Sequence, residues 1–476
     1  MTTVGQCCSL LLASTALAPL VSFPGNGTYQ NTLASYFSAE EGALQPACVF
    51  SPTETADVAA AVAILSNDTN CDFAVKSHGH APSAGFANIA GGVTIDLTGM
   101  DSVEVSADAS VIRVGMGASW VQVYAVGDAH GVQVAGGRNG GVGVGGLLLG
   151  GGISYFSPRV GWACDAVASF EVVLAGGKVV TASQTQNPDL FRALKGGGNN
   201  FGVVTSAELR AFPQGQIMAG TLAHNISDRD AVFAAVTELT TAKDYDEYAS
   251  IVLSLNMDPT TLEWTISEVP AYTKPVLRPK SYEPLFAVPN ITDTLAIVNL
   301  STFSNESAIP QLEFVFYTGT YAACAETLPT IFEVANATLS AATQPAGMLL
   351  WSVAFEPLPT KYTQWGDRNG GNVLGTEPSQ GNAFIVLMSA TAASADANDA
   401  VESISQQLMA NINAEMQKRG LLHAFQYANY ADASQNVLPS YGAANVQRLK
   451  NASAKYDPKG VFQNQVPGGF KIKNVV

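Results

Sequence analysis

The sequence predicts an α+β protein with two domains. A length of 476 residues favours two or three domains at roughly 150 residues each. Residues 48–212 show short strand patterns that alternate with short helical patterns, and clusters of glycine interrupt them. From about residue 216 glycine becomes scarce and long amphipathic segments appear. This change predicts a domain boundary near residue 215 and a second domain of α+β type.

The composition is that of a globular protein with few charges. Apolar residues make up 47% of the chain and charged residues only 13%, about half the usual quarter. These values exclude intrinsic disorder as the main state. The net charge of −16 repels phosphate backbones and anionic lipids, so we expect no nucleic-acid partner and no membrane partner. A small-molecule partner remains.

Hydrophobic periodicity and turn residues predict the elements of the first domain. Residues 53–66 predict a helix that starts at Thr53 or Thr55, and residues 118–130 predict a helix closed by Gly131. The other predicted elements are strands 72–76 and 93–97, a glycine-turn hairpin of 169–174 and 178–180, and helix 189–194.

The second domain shows longer elements. The same periodicities predict strands at 248–257 and 262–269. Predicted helices cover residues 228–243, 323–337 and 395–420. Beyond residue 421 aromatic and polar residues return.

The cysteines and glycosylation sequons indicate an oxidising compartment. Four of the six cysteines lie in the first 71 residues, which predicts one or two disulfides there, with buried free thiols as the alternative. No cysteine or histidine spacing fits zinc, so we expect no metal site. Eight Asn-X-Ser/Thr sequons favour a secreted glycoprotein; they begin at Asn26, Asn67, Asn225, Asn290, Asn299, Asn305, Asn336 and Asn451.

The apolar run at residues 7–22 lacks the basic flank of a secretory signal. We expect it to form a short amphipathic helix of the mature protein, with any signal peptide already absent. No later apolar run is long enough to span a membrane.

The segment 136–152 is the densest glycine cluster, with ten glycines among seventeen residues. We expect no helix there, because glycine carries a high entropic cost in helices. Bare backbone of this kind can turn several N–H groups toward a pyrophosphate. The alternative is a tight loop between sheets. A Rossmann site is excluded, because we expect no helix to start after these glycines, and the order of Lys195 and its glycines does not fit a P-loop.

A second polar cluster follows the predicted strand 72–76. Lys76, Ser77, His78, Gly79 and His80 stand in one glycine-containing loop, which holds two of the chain's five histidines. A histidine in such a loop is a candidate nucleophile or covalent tether. The alternative is a purely structural histidine.

Taken together, these segments resemble one family over nearly the whole chain. The sequence resembles the FAD-linked oxidoreductases of the vanillyl-alcohol oxidase fold, in the berberine-bridge-enzyme-like branch and its secreted fungal members. The matching motifs are VKSHGHAPSAG at 75–85, VGMGASW at 114–120, VGVGGLLLGGG at 142–152, GWACDAV at 161–167, LKGGGNNFGVVTSAEL at 194–209, GGNVLG at 370–375, YANYAD at 427–432 and KYDPKGVFQ at 455–463.

The resemblance implies a domain organisation. Residues 1–215 would form the N-terminal part of a two-lobed FAD-binding domain of the PCMH type. Residues 216–414 would form a substrate-binding domain with an antiparallel sheet. Residues 415–476 would return to complete the FAD domain, and the protein would be a monomer.

The resemblance also implies how FAD is held. His80 takes the position of the histidine that bonds the flavin 8α carbon, although Lys76 replaces an arginine and His78 a glycine of the family motif. Many members bond the flavin a second time through a cysteine, and that position is Asn139 here, so a single covalent link is implied. Val142 matches the position that controls access of oxygen. The other implied FAD-binding residues are Ser77, Gly79, Gly85, Gly143, Gly145, Gly146, Gly152, Gly202, Val204 and Asn429.

The expected reaction is an oxidation of a small-molecule alcohol or amine of secondary metabolism. A hydride would pass to flavin N5, and O2 would reoxidise the flavin to give H2O2. For the base we expect Tyr427 or Tyr430, with a pKa lowered from ~10, and next Glu377 or Asp367. The alternatives are a carbohydrate oxidase and a flavoprotein that catalyses a non-redox cyclisation or isomerisation.

Overall fold

A computed structural model describes residues 4–68, 70–305 and 311–475. The fold is α+β, as predicted. Its strands form a four-stranded sheet, a five-stranded sheet, a two-stranded pair and a ten-stranded sheet within the described residues. The first three arise from residues up to 213 and the last from residues 217–423.

The first sheet carries the histidine loop. Its order is β1 (Val21–Ser22), β2 (Cys48–Phe50), β4 (Val93–Asp96) and β3 (Phe73–Lys76). Strands β2 and β3 both pair with β4 in parallel, and all four residues of β4 are buried, as expected for a parallel strand covered on both faces. The loop of residues 77–80 follows directly after β3.

The helices of this region are α1 (Val4–Leu12), α2 (Gly27–Ala34), α3 (Ala39–Ala43) and α4 (Thr55–Leu65). The prediction for α4 is confirmed, but Glu54 rather than a threonine is its N-cap, and the Asp57 carboxylate accepts the N–H of Glu54 at 3.3 Å. The predicted N-terminal helix ends at Leu12, and Pro19 lies in a separate 3-10 turn.

The second sheet is antiparallel, in the order β5 (Val103–Val105), β6 (Val111–Gly115), β10 (Val203–Arg210), β8 (Val167–Val173) and β9 (Val179–Ser183). The predicted hairpin is confirmed as β8 and β9, and both turn glycines have φ near +80°. Beside it, β7 (Val132–Gln133) pairs with β11 (Phe212–Pro213). Helix α5 (Trp120–His130) ends at Gly131 in the left-handed conformation, as predicted.

The glycine segment contains a helix, which the sequence-based expectation excluded. Helix α6 (Val144–Leu149) begins after Gly143 and ends at Gly150. Val144 and Leu148 are completely buried, and this packing offsets the entropic cost of two helical glycines. The two short helices that follow are α7 (Ser157–Val160) and α8 (Pro188–Leu194).

The third sheet dominates the second half of the chain. Its main path is β16 (Asn290–Asp293), β13 (Leu222–His224), β15 (Trp264–Tyr272), β14 (Ala249–Met257), β19 (Met348–Leu358), β20 (Ala383–Ala392), β18 (Glu313–Ala322) and β21 (Leu422–His423), with β12 (Ile217–Ala219) and β17 (Ala296–Val298) alongside. Both predicted strands, β14 and β15, are confirmed. All the pairings within this sheet are antiparallel.

The predicted long helices of this region are confirmed as α9 (Arg229–Thr241), α12 (Thr327–Ala341) and α14 (Asn398–Lys418). Helix α14 packs on β18 and β20. The expected boundary between residues 414 and 415 falls inside α14. The shorter helices are α10 (Glu283–Phe286), α11 (Leu300–Ser304) and α13 (Thr360–Thr363).

The C-terminal segment forms α15 (Val437–Ser440), α16 (Ala443–Tyr456) and α17 (Val461–Asn464). Helix α16 packs on α8, and Phe462 of α17 packs on Phe73 of β3. Gln465 makes the link, because its side-chain amide donates to the carbonyls of Leu65 and Cys71 at 3.0 and 2.9 Å. Its own carbonyl accepts from the N–H of Phe73 at 2.7 Å. The chain end thus supports the strand that precedes the histidine loop.

The predicted N-terminal disulfides are confirmed as Cys7–Cys71 and Cys8–Cys48. Disulfides of this kind persist in oxidising compartments. Among the helices that the structure describes, none has the length and apolarity needed to cross a membrane.

Candidate active site

A cavity of about 470 Å³ lies where the three parts of the chain meet, within the size range of small-molecule sites. Residues 75–204 supply most of its lining, the C-terminal segment supplies part of it, and Phe316 of β18 and Leu387 of β20 line it from the third sheet. The predicted site residues that line it are Ser77, His78, Gly79, His80, Asn139, Val142, Gly143, Gly145, Gly146, Gly202, Val204, Tyr427, Asn429 and Tyr430.

Three predicted binding residues do not line this cavity. Lys76 is fully buried at the end of β3 and pairs with Asp96 at 3.3 Å. The N–H of Gly85 donates to the Glu41 carboxylate at 2.9 Å. Gly152 lies behind the wall, where an added Cβ would meet a neighbouring side chain at 2.5 Å. These residues shape the loops of the wall and do not face its interior.

Glycine keeps part of the cavity lining free of side chains. A Cβ at Gly143 would lie 2.3 Å from Ser77 Oγ, so the two loops could not approach as they do. A Cβ at Gly146 would meet no atom within 4 Å, so a side chain there would enter open space at the cavity. Bare backbone beside such space fits a dinucleotide that lies against main-chain groups. The residues present therefore fit an FAD.

The two histidines of the loop have different surroundings. His78 Nε2 lies 2.9 Å from the Gly117 carbonyl oxygen, which fixes that ring through a hydrogen bond. The His80 ring stacks on Phe37 with ring centroids 4.1 Å apart. Burial, reinforced by the nearby His78, lowers the pKa of His80 to about 4. The His80 imidazole is therefore neutral at neutral pH.

Tyr427 is a fixed, buried phenol. Its oxygen accepts the N–H of Ile153 at 3.0 Å and the side-chain amide of Asn429 at 3.1 Å. That amide also donates to the Leu147 carbonyl at 3.1 Å. Burial raises the pKa of Tyr427 above its usual range. Two N–H donors and no proton acceptor make this side chain a poor route for removing a proton.

Tyr430 belongs to a buried triad. Its hydroxyl donates to Glu356 Oε1 at 3.0 Å and accepts from Arg138 Nη2 at 2.7 Å. Arg138 also binds both carboxylate oxygens of Glu356. Burial raises the pKa of Tyr430 well above its usual range, so this phenol is no free-standing base. Its hydrogen bond to a carboxylate gives it a route to pass a proton on.

Arg138 and Glu356 were not among the residues predicted from the sequence. A signal was present for both: Arg138 is the one charged residue in the glycine segment 136–152, and Glu356 is the one charged residue in the strand MLLWSVAFEPL. The two acidic residues predicted as alternative bases do not lie at the cavity. Asp367 is an exposed residue paired with Arg192, and Glu377 is exposed; neither lines the cavity.

Two other predicted residues, Asn139 and Val142, take part in backbone hydrogen bonds that hold the glycine segment 136–152 in place. Asn139 Oδ1 accepts the N–H of Gly141 at 2.8 Å. The Val142 carbonyl accepts the N–H of Trp120 at 3.1 Å, and its side chain faces the cavity.

Comparison with known proteins agrees with this geometry. A family model described as an FAD binding domain matches residues 46–183. The chain is 35% identical to the FAD-dependent monooxygenase drtC of Aspergillus calidoustus, over 99% of this chain and 91% of that protein.

Solved structures share the fold. The glucooligosaccharide oxidase of Acremonium strictum matches with a TM-score of 0.78 and 19% identity, over 99% of both chains. The BBE-like 1 protein of Physcomitrella patens matches with a TM-score of 0.75 and 18% identity, over 100% of both chains. This chain therefore shares its fold with these two proteins and belongs to the same family of FAD-dependent oxidoreductases as drtC, and its cofactor is FAD.

Proposed function

We propose that this enzyme is an oxidase that takes a hydride from the hydroxyl- or amine-bearing carbon of a small secondary metabolite. When bound, FAD would supply the hydride acceptor, and O2 would take up the two electrons and two protons to give H2O2. One observation carries the proposal. A cavity of small-molecule size is lined both by bare glycine backbone and by Tyr430 and Arg138, and both of these side chains are hydrogen-bonded to the buried Glu356.

In this proposal Tyr430 contacts the substrate and Glu356 receives the proton. The Tyr430 oxygen accepts one hydrogen bond from Arg138 and retains a second lone pair for a substrate O–H or N–H. As the substrate proton reaches that oxygen, the phenolic proton passes to Glu356 Oε1 along their hydrogen bond, in which the two oxygen atoms are 3.0 Å apart. The Arg138 guanidinium stabilises negative charge on either oxygen. Tyr427 and Asn429 position the Tyr430 ring beside this route of proton transfer.

We propose a single covalent bond between His80 and the flavin 8α carbon. Two observations favour His80 over His78: the His80 imidazole lines the cavity with no hydrogen-bond partner among the described residues, whereas the Gly117 carbonyl holds His78. The FAD of the A. strictum oxidase is described as both 6-S-cysteinyl and 8α-N1-histidyl. Asn139 offers no thiol for a second bond in this chain.

The test is a turnover assay combined with acid precipitation. We expect one H2O2 per substrate oxidised in a panel of apolar alcohols and amines, and yellow colour in the acid pellet. His80→Ala should move the colour to the supernatant, whereas His78→Ala should leave it in the pellet. A colourless protein would remove the proposal, and colour retained in the His80→Ala pellet would remove the tether. Oligosaccharides in the same panel test the carbohydrate class.

A monooxygenase is the second candidate, because the A. calidoustus relative carries that name. The two functions differ in the fate of oxygen. A monooxygenase places one oxygen atom of ¹⁸O2 in the product and needs an external reductant, whereas an oxidase places both atoms in H2O2. Mass spectrometry of the product after turnover under ¹⁸O2 separates them.

We also propose that the protein is a monomeric glycoprotein of the secretory pathway. The two disulfides support an oxidising compartment. Seven of the eight sequon asparagines are exposed; the eighth, Asn336, is half-buried and accepts the Trp264 indole N–H at 2.9 Å. We expect a mobility shift on enzymatic deglycosylation of material from a eukaryotic host, and no shift would contradict this proposal.

A further inference from the structure

Three aromatic rings from separate parts of the chain form a stack that ends at His80. The Phe37 ring lies 4.1 Å from the His80 ring with 28° between their planes. It also lies 4.2 Å from the Phe314 ring with 18° between their planes. Two rings stacked this closely on one phenyl group must occupy its opposite faces. Phe37 therefore lies between the imidazole and strand β18.

The backbone around Phe37 also contacts the histidine loop. The N–H of Phe37 donates to the Gly79 carbonyl at 3.0 Å. The Ser38 hydroxyl donates to the Pro82 carbonyl at 2.8 Å. The ring of Tyr36 lies so close to Gly79 that a Cβ there would be 2.4 Å from it. The segment 36–38 is thus fastened to the loop on both sides of His80.

We propose that Phe37 is a positioning residue for covalent flavin attachment, which it supports by holding the His80 imidazole with its edge toward the cavity. This inference rests on the proposed bond between His80 and the flavin. Phe37 itself does not line the cavity, so it acts only through His80.

Attachment places strict demands on the imidazole. A bond forms between one ring nitrogen and the 8α carbon, and the hydrogens of the ring N–H and of one methyl C–H leave as protons. The two electrons released reduce O2, which takes up two protons and becomes H2O2. Only a neutral imidazole has the nitrogen lone pair for this bond. A flat apolar neighbour that both desolvates and orients the ring meets these demands.

A purely structural role for the stack gives a different expectation. The stack links the segment 36–38 to β18, so its loss would lower stability in any case. A structural role predicts that attachment falls only as far as folding and FAD binding fall. A positioning role predicts that covalent attachment falls while FAD is still bound.

The experiment measures attachment and binding separately. Full-length protein produced under riboflavin limitation is mixed with FAD, and samples are quenched in acid over time. Flavin fluorescence of the protein band then gives covalent attachment, and gel filtration before quenching gives total bound FAD. The variants are Phe37→Leu, Phe37→Tyr, Phe314→Leu and His80→Ala. Phe212→Leu is the matched control, because Phe212 is also a half-buried phenylalanine packed on another ring.

We expect Phe37→Leu to bind FAD while attachment slows by about tenfold, since a small misplacement of a reacting group costs at least that much. Phe37→Tyr should restore the rate, and Phe212→Leu should match the wild type. Attachment at the wild-type rate in Phe37→Leu would overturn the inference, as would an equal loss in Phe212→Leu.

Two outcomes need separate treatment. Covalent flavin in His80→Ala would overturn the proposed tether itself, and the inference with it. If Phe37→Leu yields no folded protein, Phe314→Leu decides, because it removes only the outer ring. Slowed attachment in that variant, with unchanged FAD binding, supports the inference, and an unchanged rate overturns it.

Discussion

The two walls of the cavity are built in different ways. The flavin-side wall consists of backbone from continuous segments such as residues 77–80 and 142–146, and it depends on the absence of side chains. The part of the cavity proposed to contact the substrate, the substrate-side wall, depends on the side chains of Arg138 and Tyr430, which Glu356 binds from outside the cavity. An added side chain should therefore impair binding at the first wall. Removal of a single functional group should impair the chemistry at the second wall.

The largest expected effect is on the flavin-side wall. Gly146→Leu places a side chain where a Cβ meets no atom within 4 Å. The fold should accept it, because leucine favours helices and position 146 lies in α6. FAD binding should fall by more than tenfold, since the new side chain occupies the site. The measurement is the flavin-to-protein absorbance ratio after purification.

Gly27→Leu is the matched control, because Gly27 is also a helical glycine with open space around its Cβ position. It should retain full flavin content. Equal flavin content in Gly146→Leu and Gly27→Leu would contradict the proposed location of FAD.

The next effect concerns the substrate-side wall. Tyr430→Phe keeps the ring but removes the hydroxyl between Glu356 and the substrate. Loss of a positioned proton-transfer group should lower kcat by about 10²-fold, with flavin content unchanged. Steady-state kinetics of H2O2 release provide the measurement.

Tyr427→Phe is the internal comparison for this wall. It removes a hydroxyl that only accepts hydrogen bonds from Ile153 and Asn429, so kcat should fall less than in Tyr430→Phe. The reverse order would assign the proton transfer to Tyr427.

The smallest effect concerns a contact between the N-terminal region and the third sheet. Glu40 of α3 and Glu313 of β18 both accept from the Asn398 side-chain amide at 3.2 Å. Burial and the neighbouring Glu313 raise the pKa of Glu40 to about 8. Because this pKa is raised in the folded state from the ordinary value of 4.5, its stabilising contribution is complete below pH 4.5 and is lost as the pH rises from there to about 8.

Wild-type Tm should therefore fall between about pH 5 and pH 8 by roughly 2 °C more than the Tm of Glu40→Gln. Thermal melts across this range measure the difference. Glu104→Gln, at an exposed position, should follow the wild-type slope. Parallel curves for all three proteins would show that the carboxyl pair does not titrate in this range.

The same contrast explains what the sequence could predict. The glycine motifs and the His80 loop are local, so most residues predicted to bind FAD do line the cavity. Helix α6 was missed because the gain from burying Leu148 is a tertiary effect that propensity does not contain. Glu356 was missed because its partners stand 218 and 74 positions away along the chain. Only the tertiary fold, which places β19 beside residues 138 and 430, brings them together.

The adjacent cysteines at the N-terminus have a consequence for how the enzyme matures. Both bonds start from neighbouring residues and end before β3 and on β2, the strands of the sheet that leads to His80. The two bonds close loops of 64 and 40 residues. Each closure raises the free energy of the unfolded chain by roughly 4 kcal/mol, because it lowers the conformational entropy of that chain. A polypeptide whose cysteines are still reduced lacks this restraint, so we expect thiol oxidation to precede incorporation of the cofactor.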